Sequence, residues 1–147
     1  KESVNEVVIY LEEKNIPEKY IRSHKAQSGY VKVASPELTA IDLIENEKHI
    51  GGLNRVCTVL NELVDSIDFD KLNKDFFDLA PTPIYQRLGY ILESVLERED
   101  LADIFKSKFP LSLTTRNVPF KIGKSTEDCE IDKKWKIIIN QEIEIDE

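Results

Sequence analysis

YVKVASPELTAIDLIENEKHIGGLNRVCTVLNELVDSI, residues 30–67, contains in order a short β-prone run, a capped helix, a Gly-Gly break and a second helix with a regular apolar stripe. Ser35 suits an N-cap, and Pro36 suits the first helical position, where its missing N–H would have had no intrahelical partner. The first helix is therefore predicted from Pro36 to about Glu45 or a little beyond. Gly51 and Gly52 permit the backbone angles of a break. Beyond them Leu53, Val56, Cys57, Leu60, Leu63, Val64 and Ile67 recur at helical spacing and place seven apolar side chains on one face. A second helix over 53–67 with such a face requires a partner surface.

Working outward toward the N-terminus, residues 20–27 and 30–34 flank a Ser28-Gly29 turn signal and predict an antiparallel hairpin whose second strand feeds the Ser35 cap. The EVVIYLE run near the start favours a strand, against a helix opened by a Ser3/Glu6 capping box. Toward the C-terminus, residues 69–79 predict a helical turn or two, stopped by Ala80-Pro81-Thr82-Pro83. Ile84, Leu88, Ile91, Leu92 and Val95 predict a further helix, and Leu101, Ile104 and Phe105 a shorter one ended by Pro110. The last third is β-branched and turn-prone. Trp135, Ile137, Ile139, Ile143 and Ile145 alternate with polar residues as a final strand, broken in phase by Ile138 and Gln141. The predicted architecture is α+β in a single domain: a small mixed sheet from N- and C-terminal strands packed with a central cluster of four to five helices.

The 147 residues, 41% of them hydrophobic, are enough for one core. No apolar run approaches the ~20 residues of a membrane span and no secretory leader is evident, which predicts a soluble, cytoplasmic protein. Cys57 lies on the helical stripe and Cys129 in an acidic turn-like segment, contexts that predict two free thiols. Methionine is absent even at position 1, as suits a fragment of a longer protein. The net charge of −8 opposes indiscriminate nucleic-acid binding, but it is unevenly spread. Residues 37–103 carry 15 acidic and 6 basic side chains, whereas residues 106–124 carry five basic and no acidic ones. Residues 14–32 carry five basic side chains against Glu18 alone.

VASPELTAIDLI followed by GGLNRVCTVLNEL, then QRLGYILE, and finally DKKWKIIINQEIE together resemble the C-terminal domain of AbiEi-type antitoxins of bacterial type IV toxin–antitoxin systems, over residues 30–145. The resemblance implies a non-enzymatic antitoxin and transcriptional autoregulator that counteracts a nucleotidyltransferase toxin in phage abortive infection. It also implies operator DNA as a partner through an N-terminal winged helix that these 147 residues do not include. Direct contact with the toxin does not follow from the type IV label.

Residue chemistry offers little catalysis. His24 and His49 lack companions at ligand spacing, and Cys57 sits where packing wants a small apolar side chain. No phosphate-binding glycine loop is present, and no cofactor is expected. A competing reading is a metal-dependent nuclease or nucleotide-processing enzyme using scattered carboxylates: Glu37 with Asp42, Asp68 with Asp70, or Glu130-Ile131-Asp132-Lys133. Asp42, Arg55 and Arg87 fall at the edges of apolar arcs and predict boundary ion pairs, while Tyr90 and Trp135 predict core-edge aromatics. Seven basic residues, Arg22, Lys25, Lys106, Lys108, Arg116, Lys121 and Lys124, are the candidates for contact with nucleic acid or a partner, through one basic face if the two basic stretches converge.

Overall fold

The computed structural model describes residues 21–26 and 29–145, with side chains from residue 34 onward; the strand expected near the N-terminus lies outside the described residues. Strand β1 (Ile21–Ala26) pairs antiparallel with β2 (Gly29–Ala34), Ile21 opposite Ala34 and Ala26 opposite Gly29. The chain then enters α1 (Pro36–Glu45), where Ser35 is extended and its hydroxyl accepts from the Leu38 N–H at 3.4 Å. Glu47–Ile50 form a single turn, α2, ended by Gly51 at φ +113°, and Gly52 at φ +93° redirects the backbone into α3 (Leu53–Leu63). Both angles lie in the region that disfavours side chains, which is why the break carries two glycines.

Leu53, Val56, Cys57 and Leu60 of α3 are buried, as the stripe requires. The helix does not reach Ile67 in α form: its end tightens into a 3-10 turn over Val64–Ser66, a common way to close the last turn. Val64 and Ile67 nonetheless reach the core. A second 3-10 turn (Phe69–Lys71) and the short α4 (Lys74–Phe77), capped by the Asn73 side chain, occupy the weakly helical stretch. Helix α5 (Thr82–Tyr90) runs into a π turn at Ile91–Val95, and α6 (Glu99–Lys108) follows.

The C-terminal third supplies β3 (Val118–Pro119), β4 (Ile131–Asp132) and β5 (Ile137–Ile138). Their order is β3-β5-β4, with β3 parallel and β4 antiparallel to β5. The α+β class therefore holds, with a correction to the sheet. Among the described residues the hairpin and the C-terminal strands form two separate sheets, and the ladder of the second is only two residues long. The final strand is also shorter than its alternation suggests. Lys136 adopts φ +56°, and Asn140 turns inward to bond Lys121 and Lys124, so the ladder covers only Ile137–Ile138. Ile139, Ile143 and Ile145 still pack against the core. One apolar cluster joins the helices to Phe120, Trp135 and Ile137, and α1 packs against both α3 and α5.

Candidate functional site

Helix α5 is organised by its junction with the C-terminal third. Every residue from Ile84 to Tyr90 is buried, including Gln86 and Arg87, so each polar group needs a partner. The Gln86 amide donates to the carbonyls of Arg116 (3.0 Å), Trp135 (3.2 Å) and Lys136 (3.3 Å), and Arg87 Nε donates to the Pro119 carbonyl at 3.0 Å. Burial lowers the Arg87 pKa from its ordinary value, while the nearby Glu47 carboxylate acts in the opposite sense. Gly89 lies directly under the Trp135 indole, where a Cβ would fall among the ring carbons. The indole N–H donates to Glu93 on the π turn at 2.9 Å, and Lys134 reaches the same carboxylate at 2.8 Å. Burial opposes ionisation of Glu93, but the hydrogen bonds from Lys134 and Trp135 outweigh it and hold the carboxyl below its usual range. QRLGY thus clamps the helices to the β-rich third. Of the three polar residues expected at the core edge, Arg87 and Asp42 are buried, whereas Arg55 is exposed because it lies outside the α3 stripe.

The structure divides the expected basic residues. Lys121 is engaged: its ammonium sits 2.8 Å from the buried Glu47 carboxylate, tying the segment after β3 to the helix break. Lys124 is exposed, and its carbonyl accepts from Asn140 as does that of Lys121. Lys106 belongs to a different neighbourhood. Its ammonium lies 4.9 Å from the Trp135 ring centroid and donates to the Lys134 carbonyl at 2.7 Å. Burial, then the charges of Lys134 and Lys136, lower its pKa from the ordinary lysine value. Lys108 and Arg116 are exposed, one at the end of α6 and the other on the loop that follows it. Arg22 and Lys25 lie on β1, opposite Val33 and Tyr30, and their side chains are outside the described residues. Lys134 and Lys136, which join the Lys106 neighbourhood, were not among the expected residues. Their position on either side of a lone tryptophan was the available signal.

The reactive groups are poorly placed for nucleophilic work. Cys57 is buried, and burial pushes its thiol up to about 12, so thiolate is scarce at neutral pH. His49 is exposed beside the helix break. Among the described residues no group of three or more His, Cys, Asp or Glu side chains is placed to hold a metal ion. Nor is any helix among them long and apolar enough to cross a membrane.

A family model for the AbiEi antitoxin C-terminal domain matches residues 8–94. The chain belongs to that family. The AbiEi match takes in the capped helix, the Gly-Gly break, the α3 stripe and QRLGYILE, and it extends further toward the N-terminus than the resemblance did. It ends before DKKWKIIINQEIE, yet the matched Gln86, Gly89 and Glu93 of this AbiEi domain make their contacts with that later segment. Comparisons with curated proteins and with solved structures returned no match.

Proposed function

We propose that this antitoxin-family chain is the regulatory domain of a type IV antitoxin that counteracts a nucleotidyltransferase toxin without itself being an enzyme. Joined to an N-terminal winged helix, it takes part in repressing its own operon. The observation that carries the reading is the family match over residues 8–94. The packing agrees with it: the most distinctive polar residues of the matched region, Gln86 and Arg87, are spent on carbonyls of the fold. The deciding experiment co-expresses the chain with the neighbouring toxin gene, with and without the upstream coding region. Rescue of growth by the chain alone places neutralisation in this domain; no rescue in either form overturns the antitoxin role.

The operator contact is made by the winged helix, with phosphate contacts added by Arg22, Lys25 and Lys124. Lys121 drops out of the set because Glu47 already holds it. In a protein carrying the upstream region, replacing the three together by Gln will weaken operator binding and flatten its salt dependence, leaving base preference unchanged. An unchanged slope removes these residues from the interface.

A further inference from the structure

The turn Lys134-Trp135-Lys136 and the last turn of α6 bring three ammonium groups into one neighbourhood. Lys106 lies 4.9 Å and Lys134 6.0 Å from the centroid of the buried Trp135 ring. Lys136, at φ +56°, carries its ammonium to the carbonyls of Leu113 (3.4 Å) and Thr115 (3.1 Å). Other cations of this acidic chain meet carboxylates: Lys121 has Glu47, Arg98 has Asp65 and Asp100, and Lys134 has Glu93 and Asp103. Among the described residues neither Lys106 nor Lys136 has a carboxylate at ion-pair distance.

Lys106 is held in place within that group. Its Nζ donates to the Lys134 carbonyl at 2.7 Å, and the residue is only partly exposed. Partial burial and two like-charged neighbours disfavour the ammonium, and they outweigh the opposing charges of Asp132 and Glu93. The indole face favours the cation, but weakly at a partly exposed position. Deprotonation does not release the side chain, because a neutral amine keeps an N–H to donate to the carbonyl. The neutral form is the one that attacks a carbonyl carbon. A cluster of this sign also raises the local concentration of small anions. The two effects together select a particular kind of reagent: an electrophile that carries negative charge.

We propose that Lys106 is a modification site for small acyl phosphates, with Lys136 as the neighbouring cation that draws the donor in. The Lys106 nitrogen attacks the acyl carbon, and a new C–N bond forms. The bond from that carbon to the bridging phosphate oxygen breaks, its electron pair leaving with the phosphate. The proton shed by the nitrogen goes to the departing phosphate, so a neutral amine and an acyl phosphate become an amide and inorganic phosphate. The amide keeps one N–H, enough to go on donating to the Lys134 carbonyl. It carries no charge, which removes the repulsion with Lys134 and Lys136. The proposal is independent of the antitoxin reading, and its test contains neither toxin nor operator.

The test incubates the folded 147-residue chain with acetyl phosphate and follows each lysine by peptide mass spectrometry after cleavage at glutamate. Lys48 and Lys74, exposed on the acidic helical body, are the internal comparison. We expect the initial rate at Lys106 to exceed theirs by roughly threefold or more, and the preference to shrink at high salt as the cluster is screened. In urea the preference vanishes, because only the fold assembles the three ammonium groups. Lys136→Gln will lower the Lys106 rate about twofold to fivefold, while Lys136→Arg, which keeps the charge, retains it. The salt and urea arms need no variant, so the proposal stays open to refutation even if Lys136→Gln fails to fold. Acetylation of Lys106 no faster than of Lys48 and Lys74 overturns it. So does a preference that persists in urea, and so does one indifferent to both salt and Lys136→Gln.

Discussion

Gly89 is where α5 meets Trp135, and the contact sets the local energetics. A glycine in a helix interior is about 1 kcal/mol less favourable than alanine. Here the absent Cβ makes room for an indole that is itself fully buried. Gly89→Ala will therefore lower stability despite the better helix former, with an overpacking cost of about 1–3 kcal/mol or more. Combining it with Trp135→Leu should lose less than the two single changes summed, because the clash disappears with the ring. Strict additivity in urea titrations would show that the two residues do not meet. Leu60, 0% exposed at the middle of the α3 stripe, is the simpler case. Leu60→Ala will destabilise by roughly 2–5 kcal/mol through the cavity it leaves, and a urea midpoint that does not move would place the stripe outside the core.

The helices were legible in the sequence wherever a cap or a period marked them, and so was the N-terminal hairpin from its Ser28-Gly29 signal, whereas the C-terminal strands were not. Ser35-Pro36 marked the start of α1, and the paired glycines marked the entry to α3. The C-terminal strands are two residues each, too short for any alternation to register. Beyond their own short ladders they are held from the helix side by Gln86 and Arg87, and side-chain bonds spanning about 30 to 50 residues leave no local pattern to read. The π turn was equally invisible, yet it aims Glu93 at the indole and at Lys134. Because the folded Glu93 carboxyl ionises below its ordinary value, its stabilising contribution is present above the unfolded pKa and fades as pH falls through the folded one. Glu93→Gln should thus cost about 1 kcal/mol at neutral pH, with the gap to the unaltered protein narrowing on acidification below about pH 4. Urea midpoints at a series of pH values would reveal a gap independent of pH, which would remove Glu93 from the acid response.

At the scale of the whole molecule, the family-matched residues and the remainder share one core. Phe105, Phe120, Trp135 and Ile137 come from beyond residue 94 and pack with the helices before it. A chain ending at residue 94 would expose those apolar faces to water and leave Gln86 and Arg87 without their carbonyl acceptors. We expect such a truncation to lose cooperative thermal unfolding, while the 147-residue chain melts in a single transition. A sharp melt for the truncated form would make the matched region an independent unit. Of the basic face expected from the sequence, the charge imbalance was legible but the grouping was not. Lys121 is drawn to Glu47 and Lys106 to Trp135 by contacts that only the folded topology creates.

Cys57 gives that shared core an internal clock. Its sulfur is enclosed and reluctant to ionise, whereas Cys129 lies in a partly accessible turn, so the two thiols differ in reach and reactivity toward an alkylating reagent. Modification of Cys129 marks elapsed exposure, and modification of Cys57 marks excursions in which α3 separates from the helices covering it. The ratio of the two adducts, followed by intact-mass spectrometry, would report how often the domain opens without any label being engineered into it.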